Sequence, residues 1–94
     1  MPYDLVDLKL LAAIAQHGTL KEAAAQNCLA SSSASQRLNK LESALGVALF
    51  VRHRRGLELT SAGKVALHHA GIVLNTISQI EDEISPYTGT DYGH

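Results

Sequence analysis

The chain has 94 residues, 46 % of them apolar and 18 % charged, with one cysteine, no tryptophan and a formal net charge of −1. This composition suits one small globular domain and excludes a deep, enclosed substrate cleft, because a chain this short buries only about two-thirds of the surface its unfolded form exposes. The lone Cys28 excludes an intramolecular disulfide framework and a cysteine-based zinc cluster, and it points to a reducing compartment.

Asp4 is placed to cap a first helix in which Leu5, Leu8, Leu11, Ala12 and Ala15 recur at three- and four-residue spacing, the expected buried stripe. The apolar stretch from Leu10 to Ala15 follows Asp4 and Asp7 rather than a basic segment, so it does not read as a secretion signal. No run approaches the ~18 apolar residues of a membrane span, and the expected location is the cytoplasm. Gly18 ends the helix. Thr19 and Glu22 then give the T-x-x-E pattern of a capping box, opening a short second helix that runs to about Gln26. Its Ala23, Ala24 and Ala25 are small enough for another helix to cross closely. Asn27 and Cys28 form the turn, where Cys28 fills space.

A third helix begins in the cluster Ser31, Ser32 and Ser33, any of which can cap it, and runs to Leu45 before Gly46. Ala34, Leu38, Leu41 and Leu45 form its expected buried stripe. The rest of its circumference, with Ser32, Ser33, Ser35, Gln36, Arg37, Asn39 and Lys40, is polar and basic. Residues 49–60 change period: Leu57 and Leu59 alternate around Glu58, and His53, Arg54, Arg55 and Gly56 form a tip. This reads as a two-stranded hairpin that packs on the helices through Leu49, Phe50, Leu57 and Leu59, since such a ribbon is marginal alone.

From Ser61 the helical period returns and persists to Ile84, before Pro86. Within it Ala66, Ala70, Val73, Ile77, Ile80 and Ile84 alternate spacings of four and three, the pattern of a helix-pairing seam. Such a stripe needs a partner. Packing on the domain itself is the simpler reading, but the seam runs past what so small a domain can cover, so a second copy of the chain is expected there.

The net charge conceals a division along the chain. Residues 1–36 carry two lysines against three acids, a net −1; residues 37–64 carry six basic residues against two glutamates, a net +4; residues 65–94 carry four acids and no Lys or Arg, a net −4. A basic segment of this size is usually solvated surface, and alone it points only weakly to a polyanion. Two helices joined by a short turn, the second with a polar, basic outer face, followed by an arginine-tipped hairpin, strengthen it. That order is the logic of a winged helix-turn-helix, in which one helix enters the major groove of DNA.

Leu41, Glu42, Leu45, Gly46, Leu49, Phe50, Arg52, Arg55, Gly56, Leu59, Thr60, Ala62 and Gly63 resemble the LE-x-x-LG-x-x-LF-x-R-x-x-RG-x-x-LT-x-AG run of LysR-type transcriptional regulators. Gly18, Thr19, Ala23 and Ala24 match the same family's G-[ST]-x-x-x-AA signature, and the resemblance covers about residues 5–84. It implies a mainly α winged helix-turn-helix: residues 1–60 form the DNA-binding domain, with the helix-turn-helix at about 19–38 and the wing at about 49–60. Residues 61–85 would be the linker and dimerisation helix, and 86–94 a flexible tail toward an effector-binding domain. A small-molecule effector is expected only with such a further domain, and no metal or cofactor is implied.

By the same resemblance Ser31, Ser32, Ser33, Ser35 and Gln36 occupy positions that approach bases or phosphates, and Arg55 occupies the wing position. The sequence departs from the family where S-Q-P is replaced by Ala30, Ser31 and Ser32, and where the usual SR pair is Ser35 and Gln36, with arginine one position later. Base preferences therefore do not transfer from relatives. Gln36 and Arg37 are the candidates for direct readout, through bidentate amide-to-adenine and guanidinium-to-guanine pairs. Arg37, turned by about 100° from the family's arginine, has phosphate as its alternative.

Ser33, Ser35 and Lys40 read as phosphate anchors, and Thr19 as a helix cap with a further backbone contact to phosphate. Arg54 and Arg55 are placed to reach the minor groove. Arg52 is divided between a phosphate contact and an ion pair with Glu42 or Glu58. His53 would strengthen binding if protonated, although a surface histidine needs no such role. His68 and His69 diverge by about 100° on a helix and have no further ligand one turn away, which argues against a metal site. No catalytic constellation is evident. The expected partners are double-stranded DNA and a second copy of the chain, with higher oligomers open to a longer protein and no membrane involved. The rival expectation is a dimeric protein-interaction module that sequesters a partner without binding DNA.

Overall fold

The computed structural model describes residues 1–88. Helices α1 (Leu5–His17), α2 (Leu20–Gln26) and α3 (Ser31–Leu45) precede an antiparallel hairpin of β1 (Phe50–His53) and β2 (Gly56–Leu59), followed by the long α4 (Ser61–Ile84) and a single 3₁₀ turn (Ser85–Tyr87). In the hairpin Phe50 pairs with Leu59 and His53 with Gly56, leaving Arg54 and Arg55 as the two-residue tip.

Local chemistry sets the helix starts. The Asp4 side chain accepts from the Asp7 amide, and the Asp7 carboxylate accepts from the Asp4 amide, a complete capping box on α1. At α2 only half of the expected box forms. Thr19 Oγ1 accepts from the Glu22 amide, but the Glu22 carboxylate takes the Thr19 hydroxyl at 3.0 Å instead of reaching the Thr19 backbone. The N-cap of α3 is Ala30, with no side-chain cap, so none of the three serines serves as the expected cap; all three lie inside the helix.

The core is built from Leu10, Leu11, Ile14, Leu38, Leu41 and Leu49, joined by Ala23, Ala24, Ala34, Phe50 and Ala70. Leu49 and Phe50 are buried and Leu57 and Leu59 pack against the cluster, so the hairpin is seated through the expected four residues. Two helix faces differ from expectation. On α1 the buried set is Asp7, Leu10, Leu11, Ala13 and Ile14, while Leu5 is exposed and Leu8, Ala12 and Ala15 are half-buried. The face is turned because α1 is apolar over most of its circumference, and its contacts with α2, α3 and α4 choose among equivalent stripes. On α3 the stripe ends early: Leu45 is 42 % exposed, since nothing covers the last turn.

The radius of gyration, 15.8 Å, exceeds the ~13 Å of a compact 100-residue domain, and the long axis is 53 Å. The excess is α4. Its first half packs on α1, with Ala66 against the core and Ala70 fully buried in it. Further along, Val73, Ile80 and Ile84 are exposed and Ile77 is half-buried. The expected seam thus divides: Ala70 is buried in the chain's own domain and Ala66 is half-buried against it, which corrects their assignment to a partner alone. Pro86 lies in the 3₁₀ turn, and the rest of the expected tail, residues 89–94, falls outside the described residues.

Candidate nucleic-acid interface

The short turn between α2 and α3 sets the angle of α3. Asn27 caps α2 and its Nδ2 donates to the Ala23 carbonyl at 3.0 Å; Cys28 takes a left-handed φ of 56°, and the Leu29 amide returns to the Ala24 carbonyl at 2.8 Å. The buried Ala23 and Ala24 of α2 and Ala34 of α3 bring the two helices together. This leaves one side of α3 to solvent: Ser31, Ser32, Gln36, Asn39 and Lys40 are exposed, and Ser33, Ser35 and Arg37 are half-buried. Ser33, Gln36, Arg37 and Lys40 line one shallow depression with Asp4 and Leu29.

The wing is bonded to this surface at three places. The Leu57 amide donates to the Gly18 carbonyl at 2.8 Å, joining β2 to the end of α1. Glu42 Oε2 accepts from the amides of Leu49 (2.7 Å) and Phe50 (3.3 Å), joining α3 to the start of β1. Arg52 Nη2 donates to Asn39 Oδ1 at 3.1 Å, joining the strand to the outer face of α3. Gly56 makes the first of these approaches feasible. Its φ is 143°, and a Cβ there would stand 2.1 Å from the Gly18 carbonyl oxygen. Arg54 and Arg55 keep negative φ, so the glycine absorbs the turn and both arginines project from ordinary backbone.

These bonds settle where several predicted residues sit. Arg52 pairs with neither expected glutamate: Glu42 is occupied by backbone amides, and Glu58 Oε1 shares a 2.8 Å hydrogen bond with His53 Nε2 across the hairpin. Thr19 is engaged as the α2 cap. Arg37 turns away from Gln36, and its Nη1 donates to Asp7 Oδ1 at 3.0 Å and Asp4 Oδ1 at 3.2 Å. The hydrogen bond to Asp7 holds the Arg37 guanidinium above its ordinary pKa. The hydrogen bond from the Asp7 amide, the largest influence, holds the Asp4 carboxyl below its ordinary value against the opposing effect of burial, and Arg37 adds to the lowering. Among the described residues of α3 and the wing, Lys40, Arg52, Arg54 and Arg55 have no ion pair, so this surface carries uncompensated positive charge on α3, on β1 and at the wing tip.

Sequence reasoning missed Asn39, Glu42 and Asp7 as organisers of this surface. The D-x-x-D spacing of Asp4 and Asp7 is a signal that could have found Asp7 as a cap partner; nothing local marks it as the partner of Arg37. His68 and His69 stand edge to face with centroids 5.2 Å apart, and no group of three or more metal-ligating side chains occurs among the described residues. No described helix is long and apolar enough to cross a membrane.

Three helices with a polar third helix, a two-stranded wing bonded to it and a long trailing helix define a winged helix-turn-helix protein. The family described as bacterial regulatory helix-turn-helix protein, lysR family, matches residues 5–64, and the chain belongs to that family. The chain is 33 % identical over 79 residues to the uncharacterised HTH-type transcriptional regulator YusT of Bacillus subtilis, covering 84 % of this chain and 27 % of the relative. It is 37 % identical over 75 residues to the HTH-type transcriptional regulator YofA of the same organism, covering 80 % of this chain and 26 % of the relative. Among solved structures, the crystal structure of the CbnR_DBD–DNA complex superposes with a TM-score of 0.81 at 30 % identity, covering 89 % of this chain and 97 % of that one. The chain spans about a quarter of the length of the curated relatives it matches.

Proposed function

We propose that this chain is the part of a LysR-type transcriptional regulator that binds double-stranded DNA in a sequence-specific manner, and that it does so as a homodimer in the cytoplasm. The observation that carries the reading is the bonding of α3 and the arginine-tipped wing into one surface, through Arg52–Asn39 and through Glu42 to the β1 amides. A duplex presents a major groove flanked by phosphates, and a helix and a wing held at one distance meet both at once without ordering each other on binding. The 30 % identical CbnR domain, described as a DNA complex, supports it.

In this reading α3 lies in the major groove with Gln36 toward a base edge, where its amide can pair bidentately with adenine. Ser31, Ser32, Ser33, Ser35 and Lys40 border the groove and meet phosphates. Arg54 and Arg55 reach the minor groove, whose narrow A·T tracts concentrate negative potential. Arg52 and Thr19 support the wing and α2, and Thr19 contributes the phosphate-facing end of α2. Val73, Ile77, Ile80 and Ile84 of α4 meet the same residues of a second copy. A groove of about 550 Å³, lined in part by Tyr3, Leu5, Leu8, Leu45 and Val73, extends this apolar surface onto α1 and α3. Two recognition helices then address half-sites about 34 Å apart or a multiple of it. Residues 1–60 serve as the DNA-binding unit and 61–85 as the linker helix, leading to an effector-binding domain in the whole regulator.

The test is selection of bound duplexes from a random-sequence library at two salt concentrations. An enriched inverted repeat supports the proposal. Absence of binding at either salt refutes it and favours the protein-interaction module, which has no phosphates to neutralise.

A further inference from the structure

Arg37 is the one arginine on α3, and its Nη1 is held by Asp7 of α1 and by Asp4, the residue that caps that helix. Its partner Asp7 has a side chain 1 % exposed, and both carboxylate oxygens are in use: Oδ2 accepts from the Asp4 amide at 2.9 Å and Oδ1 accepts from Arg37 Nη1 at 3.0 Å. Among the described residues Arg37 is the only cation paired with Asp7. A buried carboxylate stripped of its cation is strongly unfavourable, so swinging Arg37 out to a nucleic acid would leave Asp7 in that state. Asp4, whose side chain is 60 % exposed, adds a second negative charge at 3.2 Å. A polyanion approaching here meets one cation already matched by two acids. Gln36, its neighbour, is exposed and turned outward.

We infer that Arg37 is a positioning residue, which anchors α3 to the N-terminal turn of α1 through Asp7 and makes no contact with DNA, so that Gln36 is the base reader of the pair. The arrangement fixes the rotation of α3 about its own axis, because the anchor lies on the flank between its buried stripe and its outer face. The long guanidinium side chain suits this work because its Nη1 reaches both carboxylates at once, Asp7 Oδ1 at 3.0 Å and Asp4 Oδ1 at 3.2 Å. The inference rests on the DNA-binding reading only for its second half; the anchor itself concerns the free protein.

The experiment compares Arg37→Gln, Asp7→Asn and the double variant. Without DNA, both single changes lower Tm and the double change lowers it no further than the worse single one, since they remove one interaction. Additive losses overturn the anchor. Affinity is then measured across a salt series on one enriched duplex and one unrelated duplex. Both single variants weaken binding to the two duplexes by the same factor, with log–log salt slopes unchanged to within about 0.3.

If Arg37 instead contacts phosphate, Arg37→Gln lowers the slope by about 0.9, and Asp7→Asn, by releasing the arginine, tightens binding and steepens the slope. Either result overturns the inference, as does a preference relaxed at one base in Arg37→Gln. Should Asp7→Asn fail to fold, Arg37→Gln and Arg37→Lys decide: equal slopes support positioning, and a slope lost in the first and restored in the second assigns Arg37 to phosphate. Absence of DNA binding by the unaltered chain would refute the DNA-binding proposal while the Tm comparison still tests the anchor.

Discussion

Replacing Gly56 by alanine tests how the wing is held. The added Cβ would lie 2.1 Å from the Gly18 carbonyl oxygen, where contacts under 3.0 Å are essentially never seen, so β2 must move away by about 1 Å. The Leu57 amide, which donates to that same carbonyl at 2.8 Å, then loses its partner, at about 1–3 kcal/mol. The φ of 143° adds strain of about 1–3 kcal/mol for a residue with a side chain. Together these come to about 2–6 kcal/mol, or a fall in Tm of roughly 8 °C or more at 4–8 °C per kcal/mol for a domain of this size.

Gly46→Ala is the control, because Gly46 is also left-handed, at φ 75°, but its Cβ would meet nothing within 4 Å. It should cost about 1 kcal/mol, near 5 °C. The assay is thermal unfolding followed by circular dichroism at one fixed protein concentration, since a dimer's Tm depends on concentration. Loss of stability in Gly56→Ala no greater than in Gly46→Ala would refute the close-approach argument. At temperatures where both variants are folded, Gly56→Ala should also bind DNA more weakly, because the arginine tip has moved.

The α3 stripe is checked by a pair: Leu38→Ala, at a position 1 % exposed, should cost about 2–5 kcal/mol in denaturant unfolding, while Leu45→Ala should cost well under half as much. Ile80, 58 % exposed, can be changed to Asp without opening the domain's own core, and the variant should sediment as a monomer; a persisting dimer removes the α4 seam from the interface. Arg55→Ala should weaken binding to every duplex and lower the salt slope by about 0.9, whereas Gln36→Ala should relax preference at one base position, and uniform losses would remove Gln36 from the readout. Asp4 has a lowered pKa in the folded chain, so its contribution is complete above the ordinary value of 3.8 and is lost as pH falls through the lower folded value. Tm should therefore fall less steeply below that pH in Asp4→Asn, which keeps a capping side chain, and superimposable curves would show that the Asp4 charge has no such effect.

Much of this protein is local. The extents of α3 and α4, a hairpin with Arg54 and Arg55 in its tip and the seating of the hairpin through Leu49, Phe50, Leu57 and Leu59 follow from hydrophobic period, glycine punctuation and the leucines that flank the turn, while the pairing of His53 with Gly56 shortened the expected four-residue tip to two. These signals work because helix and strand periods are properties of neighbouring residues. The outer face of α3 was legible for the same reason: a helix that alternates leucine with serine, glutamine and lysine has only one side it can bury.

Tertiary structure decided what periodicity leaves degenerate. Between Leu5 and Ala15 only Asp7 and Lys9 are polar, so several stripes of α1 are equally apolar, and packing chose Leu10, Leu11 and Ile14 while burying Asp7. Arg37 was a candidate for bases or for phosphate on local grounds, and its pairing with Asp7 and Asp4, 30 and 33 residues away, lay beyond any local signal. Arg52 had two glutamates nearby in sequence, and the fold gave it Asn39 because both glutamates were already bonded. The seam of α4 was continuous in sequence, yet the domain's reach ends near Ala70 and only the remainder is left for a partner. Charge and apolar pattern determined which residues compose the candidate interface; which of them are free to face outward depended on long-range pairing, where a carboxylate buried by folding claims the cation within its reach.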